Sequence, residues 1–500
     1  MLPFLTYLTV LLVALCGLVY QFIAGTISSY LLGGGITQYS LVIGVFLTAL
    51  GVGAYLSKLV EQQVARRFIE VELALAIVGG LAAPSFFLAF SKAGYFRVVL
   101  YSIVFLEGAL IGLEIPLLVR LLRRRVQFKD LVARALAFDY IGSFLAGILF
   151  VFVFLPTLGM IHTGIAFGIL NAIVALFGTW LFAPSLSNPP RLRIQSLAVL
   201  AVLAGVFIGA NRMTTTFESL LYSDPIVLAH QSRFQRIVVT AGRGGHHLFL
   251  DGNLQFSSVD EYRYHEALVH PVFMTRTEHA RVLVLGGGDG LAVREILRYP
   301  DVQHVTLVDI DQGITDLALH HPIFVKLNHG SMSHSKVRIV HDDAMVWLRE
   351  GTDRFDIVII DFPDPNNYTL GKLYTTTFYR LVMARLQPEG ALVVQSTSPL
   401  LARRSYWCIV ATLEEVGLHV LPYHAFVPSF GEWGFALAST ASIAAPSGES
   451  LPVGLRYLDD NTLKSLFILS PDMAREPVQV NRLSSQALVR YYESDWRATQ

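Results

Sequence analysis

Five hundred residues, 53% apolar and only 15% charged, exclude a disordered chain and leave room for two or three domains. A formal net charge of zero and two cysteines exclude a broadly basic nucleic-acid partner, a disulfide framework and a cysteine-based metal site. The balance is uneven: up to Arg193 the chain carries 13 Lys/Arg and 7 Asp/Glu, and the rest carries 25 and 31.

The first 211 residues read as a multi-pass α-helical membrane domain of about seven spans. These fall at about 4–26, 37–57, 70–92, 100–120, 137–157, 161–183 and 196–210. Most reach the roughly 20 residues that cross a bilayer, and the last is short. Positions 4–26 lack a basic leader and a cleavage site, so they read as a retained span. Glycines 44, 51 and 53 suggest close helix packing.

Loop charge sets an orientation. Lys58, Arg66 and Arg67, and then Arg123, Arg124, Arg125 and Lys129, mark cytoplasmic loops. The stretches 27–36 and 158–160 lack Lys and Arg and are expected outside, which puts the N-terminus inside. Seven spans would then leave the soluble half outside, in conflict with the cytosolic nucleotide chemistry developed below. That chemistry carries more weight, and the expectation is a cell-membrane protein with a cytoplasmic catalytic half. Glu107, Glu114 and Asp139 fall inside spans, with Glu107 and Glu114 seven apart on one helix face. Pairing with a neighbouring helix, or water at a helix end, is the common explanation for such acids; the functional one is a site for a cation such as a polyamine.

Residues 212–275 read as a small β unit of four segments, PIVLAH, FQRIVVTA, HHLFLDG and NLQFS, with GRGGHH as a hairpin turn. The stretch DEYRYHEALVHP then reads as helix. Residues 276–445 alternate between strands at 281–285, 304–309, 336–341, 355–360 and 390–395 and helices at 290–298, 312–320, 343–350 and 374–386. This implies a Rossmann-like, class I methyltransferase-type domain with a parallel, doubly wound sheet. LHVLPYHAFV and GFALAST add two strands, and 446–500 reads as a mostly helical tail without assigned chemistry.

Ligands of such sheets sit at the carboxyl ends of the strands. Here those ends carry Asp289, Asp309, Asp342 with Asp343, Asp361 and Gln395. Helix capping accounts for any single Asp; four successive acidic ends describe a crevice. The turn GGGDG, with Gly286 and Gly288, allows close backbone approach, and Asp289 in it favours a cation over a pyrophosphate. Asp309 has the spacing of a ribose-binding acid. Asp343 and Ala344 are placed to meet an adenine edge. Asp361 and Asp364 sit on one proline-stiffened loop, DFPDP, able to neutralise an ammonium and accept a proton. Histidines 246, 247, 320, 321 and 341 lack ligand spacing and read as surface or loop residues.

Taken in order, FLDGNLQ, DEYRYHE, GGGDG followed by RE, LVDID, DDA, DFPDP and QSTSP resemble the spermidine synthases, or polyamine aminopropyltransferases, over about 220–440. The resemblance implies decarboxylated S-adenosylmethionine as co-substrate, putrescine as acceptor, and no metal or redox cofactor. It implies that Gln235, Asp309, Asp343 and Ala344 hold the nucleoside beside Gly286 and Gly288. It implies that Tyr264, His265, Asp289 and Asp364 line the amine channel, and that Asp361 accepts the proton. Implied partners are these small molecules and the lipid bilayer, with a homo-oligomer left open. The chain departs from the family pattern at Phe362 and Pro363 between the two acids, at Phe430, and at Phe234. Two other readings stay open: a methyltransferase using full S-adenosylmethionine, and a non-catalytic polyamine-binding transporter or sensor.

Overall fold

The computed structural model describes all residues except 1, 33–34, 91–94, 123–127, 220–221, 276–278, 449–450 and 499–500. Arg123, Arg124 and Arg125 therefore lie outside the described residues. Two compact units emerge, Met1–Ser223 and Asp224–Gln500.

In the first unit six helical segments among the described residues are long and apolar enough to cross a membrane. The fifth, Asp130–Leu181, has 52 residues and is broken at Gly159, whose φ of 68° and ψ of −179° leave the helical region. Each side of that break is long enough to cross by itself. The expected spans 137–157 and 161–183 fall on its two sides. The last segment was expected to be short. Instead its helix runs Pro189–Ser219, because Pro189 and Pro190 are favourable at a helix start and the apolar pattern continues past Arg191 and Arg193.

Gly53 meets its expected role, since a Cβ there would strike the Ala109 carbonyl. Gly44 and Gly51 do not, because both face open space. The close approach is completed from the opposite helix, Phe96–Leu122, where Gly108 and Gly112 lie against the carbonyls of Phe46 and Leu50.

The second unit opens with a four-stranded antiparallel sheet, β1 (Ile226–Gln231), β2 (Arg236–Gly242), β3 (Gly245–Leu250) and β4 (Asn253–Ser257), in sequential order. The β2–β3 turn is confined to Arg243 and Gly244, so His246 and His247 are strand residues rather than turn residues. A helix, Glu261–Phe273, leads into the main sheet.

That sheet contains β5 (Arg281–Gly286), β6 (His304–Asp309), β7 (Val337–His341), β8 (Phe355–Asp361), β9 (Leu386–Gln395), β10 (His419–Val427) and β11 (Gly431–Ser439). Their order is β10-β11-β9-β8-β5-β6-β7. The five strands from β5 to β9 are parallel, whereas β10 and β11 form an antiparallel edge. The fold is Rossmann-like, with a mixed and mostly parallel sheet. Alternate residues explain why the strands are continuously apolar: Val282, Val284, Ile357 and Ile359 enter one core, and Leu283, Leu285, Val358 and Ile360 the other.

The chain leaves β5 towards β6 and β7 and then returns to β8 on the other side. The topological switch point therefore lies between β5 and β8. There Gly286 pairs directly with Asp361, so the glycine turn and the DFPDP loop leave the sheet side by side.

The tail is less helical than expected: among its described residues α-helices cover Asp460–Leu466 and Ala487–Ala498, with a short 3-10 turn at Pro471–Met473. Hydrogen bonds from the body replace helical ones. Glu266 accepts from the backbone N–H groups of Arg456, Tyr457 and Leu458, and Asn481 donates to the carbonyls of Gly371 and Tyr374.

Candidate functional site

The crevice grows from the glycine turn. Gly286, Gly287 and Gly290 have φ of 80°, 65° and 81°, values that glycine adopts without strain. A Cβ on Gly286 would collide with the Asp361 carbonyl, and one on Gly288 would press on the Asp309 carboxylate. Gly287 N–H donates to the Asp361 carbonyl at 3.2 Å, and Gly288 N–H to Asp309 Oδ2 at 3.0 Å. Two acids from two strands are thereby tied to one turn.

One end is built around Asp309. Its Oδ1 accepts from Asp311 N–H at 2.8 Å. Asp311 in turn accepts from Gln235 Nε2 at 2.7 Å and from Ser232 Oγ at 2.8 Å. Gln235 reaches this end through Asp311, a buried residue that the sequence reading quoted in LVDID but gave no role. Asp343 and Ala344 follow β7. Asp343 caps its helix through Met345 N–H and Val346 N–H and pairs with Lys372 at 2.5 Å. Burial opposes its ionisation, yet Lys372 and these N–H donors hold its carboxyl below the usual range. For Asp343 the capping explanation is therefore correct as far as its side chain goes, and Ala344 is buried at the first helical position.

The other end joins Tyr264, His265, Asp289, Asp361 and Asp364. Tyr264 donates to Asp361 Oδ1 at 2.6 Å from the helix Glu261–Phe273. On that helix His265 contacts Glu261 Oε2 at 2.8 Å, and Glu261 is also bridged by Arg294 at 2.9 Å. Burial alone would lower the proton affinity of His265; the Glu261 carboxylate reverses this and raises it, with Asp289 and Asp361 adding to the effect. Asp289 caps Leu291 N–H at 2.9 Å, and burial raises its pKa. Burial also pushes Asp309, Asp361 and Asp364 up to about 6 each. Among the described residues no lysine or arginine bridges these four acids. Asp361 has only the cationic tendency of His265 and the Tyr264 hydroxyl to favour its ionised form.

Asp364 shows what the sequence reading missed. It accepts from Thr397 Oγ1 and from Tyr492 hydroxyl, both at 3.0 Å, and from Gln395 Nε2 at 3.3 Å. Tyr492 comes from the tail helix Ala487–Ala498. Thr397 has a φ of 59°, a conformation that costs a β-branched residue on the order of 1–3 kcal/mol. Its N–H on Gln395 Oε1 and its carbonyl on Gly434 N–H hold it there. Gln395 also accepts from Trp433 Nε1 at 3.2 Å, and the Trp433 ring lies tilted against Phe430 with centroids 5.0 Å apart.

Chemically, one end offers an acid and a side-chain-free backbone surface at the glycine turn to a neutral, hydroxyl-rich ligand. The other offers three acids and, among the described residues, no lysine or arginine bridging them, with His265 alongside, which suits a cation bearing transferable protons. No three His, Cys, Asp or Glu side chains among the described residues converge as a metal site.

The family described as "Spermine/spermidine synthase domain" matches residues 261–445. A protein named polyamine aminopropyltransferase from Leptospira interrogans serogroup Icterohaemorrhagiae serovar copenhageni is 49% identical over 490 residues, 98% of each chain. Polyamine aminopropyltransferase 2 of Ralstonia nicotianae is 46% identical over 98% of each chain. The likeness thus runs through both halves, apolar helices included. A solved spermidine synthase in complex with the transition-state analogue AdoDATO matches 49% of this chain and 85% of its own, with 24% identity and a TM-score of 0.46.

Proposed function

We infer the reaction from the premise that this chain belongs to the spermine and spermidine synthase family: it is a polyamine aminopropyltransferase. It transfers the aminopropyl group of decarboxylated S-adenosylmethionine to putrescine, giving spermidine and methylthioadenosine. The observation that carries the site assignment is the pairing of Gly286 with Asp361, which sets a nucleoside-type acid, Asp309, and a base of pKa about 6 on either side of one turn.

The amine nitrogen attacks the methylene next to the sulfonium. The new C–N bond forms as the C–S bond breaks, and sulfur leaves with the electron pair as a neutral thioether. The proton lost by the amine passes to Asp361. No group on the protein becomes covalently attached, so positioning supplies most of the rate. Asp309 holds the ribose hydroxyls, with Gln235 and Asp311 bracing it. Asp343 and Ala344 flank the adenine, and because the Asp343 side chain is occupied by its cap and by Lys372, the contact falls to the backbone there. Asp289 and Asp364 hold the far ammonium of putrescine, with Tyr264 and His265 forming the channel wall. The residues present call for no resident metal or redox cofactor. The helical unit anchors the enzyme in the cell membrane, and a cytosolic nucleoside substrate puts the catalytic unit on the cytoplasmic face; with the N-terminus inside, this requires that one of the seven apolar segments does not cross.

The test is the full-length protein in detergent with decarboxylated or full S-adenosylmethionine and putrescine. Methylthioadenosine from the decarboxylated donor is the expected product. S-adenosylhomocysteine from the full donor would replace this reading with methyl transfer. Amine binding without either product would replace it with a sensor or transporter.

A further inference from the structure

Three acids are sealed inside the helical unit. Glu72 lies on Val64–Gly80, Glu107 and Glu114 on Phe96–Leu122, and none is more than 2% exposed. Both carboxyl oxygens of Glu107 lack a hydrogen-bond partner, and Glu72 and Glu114 have only each other. Glu72 and Glu114 face each other, acid against acid, and no cationic side chain answers any of the three. Pairing with a basic neighbour, the ordinary reason to keep such acids, is therefore absent among the described residues.

A second polar group points the same way. The Tyr20 hydroxyl, from the helix Leu2–Leu32, is 1% exposed and has no partner. It lies within electrostatic reach of Glu107, Glu72 and Glu114. Its ring packs against Gly79, on the helix that carries Glu72. Three helices thus direct buried oxygen atoms into one apolar interior, and those of Tyr20 and Glu107 have no partner.

The spacing selects the ligand. A metal ion needs its oxygen ligands gathered at roughly 2–2.6 Å from one point, and no three such side chains converge. Glu107 and Glu114 instead stand two helical turns apart on one face, about 10 Å along the axis. Leu110 and Ile111 fill the interval with hydrocarbon. Charge at both ends and apolar surface between them complement a linear polyamine, whose ammonium groups are held apart by methylenes.

We propose that the helical unit contains a second amine site, which binds a linear diamine or triamine with one ammonium on Glu107 and another on the Glu72–Glu114 pair. The Tyr20 hydroxyl accepts a hydrogen bond from the bound amine. The choice of polyamine among organic cations rests on the aminopropyltransferase reading, because the second unit consumes and releases such molecules.

The experiment counts labelled spermidine bound to the full-length protein in phosphatidylcholine nanodiscs. Two classes of site are expected. Glu107→Gln and Glu114→Gln should each weaken one class about tenfold or more, as expected for loss of a buried charged partner, and leave turnover unchanged. Asp364→Ala should remove the other class together with turnover. If Glu107→Gln leaves binding intact while turnover is normal, this proposal falls and the enzyme reading stands. If turnover is missing but a Glu107-dependent class remains, the reverse holds. A measurement on the unmutated protein guards against misfolded variants: an apolar carbodiimide should modify Glu107 or Glu114, and spermidine should protect them where butylamine and sodium chloride do not. Equal modification with and without spermidine would overturn the proposal.

Discussion

Tyr264→Phe isolates one hydrogen bond. The phenyl ring keeps its place beside Phe430 and Phe435, at centroid distances of 6.3 and 5.4 Å. What disappears is the 2.6 Å donation from the hydroxyl to Asp361 Oδ1. A hydrogen bond to a charged acceptor contributes about 1.5–3 kcal/mol, and one pKa unit corresponds to about 1.4 kcal/mol. The donor favours the ionised carboxylate, so its loss raises the proton affinity of Asp361 by about one to two units. The starting point is about 6. Catalysis needs the ionised form, so activity falls as pH drops through this pKa. The acid limb of kcat/KM should accordingly move from about 6 towards 7 or 8, with rates approaching wild type on the alkaline plateau. Methylthioadenosine release across about pH 5 to 9 reads the limb directly. Ionisation of putrescine itself is common to both profiles and cancels in the comparison. A variant whose limb stays near 6 while its whole profile is lowered would refute Asp361 as the proton acceptor.

Three further outcomes are expected. Asp361→Asn should abolish turnover with only a modest loss of nucleoside binding, and should stabilise the fold at pH 8 but not at pH 4. The sign follows from burial: the carboxyl rises from 3.8 to about 6 in the native state, so protonation supports folding below about 4, and that support is lost as pH rises through 6. Two units bound the effect at about 3 kcal/mol, and equal melting-temperature shifts at both pH values would contradict it. Asp309→Ala should weaken binding of an adenosyl ligand while kcat at saturation persists; a pure rate defect with unaltered affinity would argue against a ribose role. Tyr492→Phe should raise KM for putrescine by about tenfold, the worth of one hydrogen bond to a charged group, and leave nucleoside affinity alone. An unchanged amine KM would remove the tail helix from the site.

The parallel core was legible because its strands are short apolar runs bounded by glycine or acid, with helices of a different period between them. The helix Arg403–Glu415 was not, since Tyr406, Trp407, Cys408, Ile409 and Val410 are all buried and their unbroken apolar run carries no helical period. Site residues at strand ends were legible because topology places them together. Asp311 escaped because it acts through Asp309 and Gln235 rather than at the strand end itself, a role that no spacing rule reads. Glu72 escaped because the expected span began at 70, which made it an interfacial residue; the helix begins at Val64 and carries it more than two turns inward. Nothing local distinguishes Tyr492, whose partner lies 128 residues earlier.

That separation has a consequence in time. A chain made from its N-terminus at about 5–20 residues per second needs roughly ten seconds to advance from Asp364 to Tyr492. During that interval the nucleoside end and the glycine turn have already left the ribosome, while the amine end still lacks its last donor. The amine end is thus the last part of the crevice to be completed during synthesis, and a chain truncated before the final helix would keep Asp309 and the glycine turn but lack the Tyr492 donor.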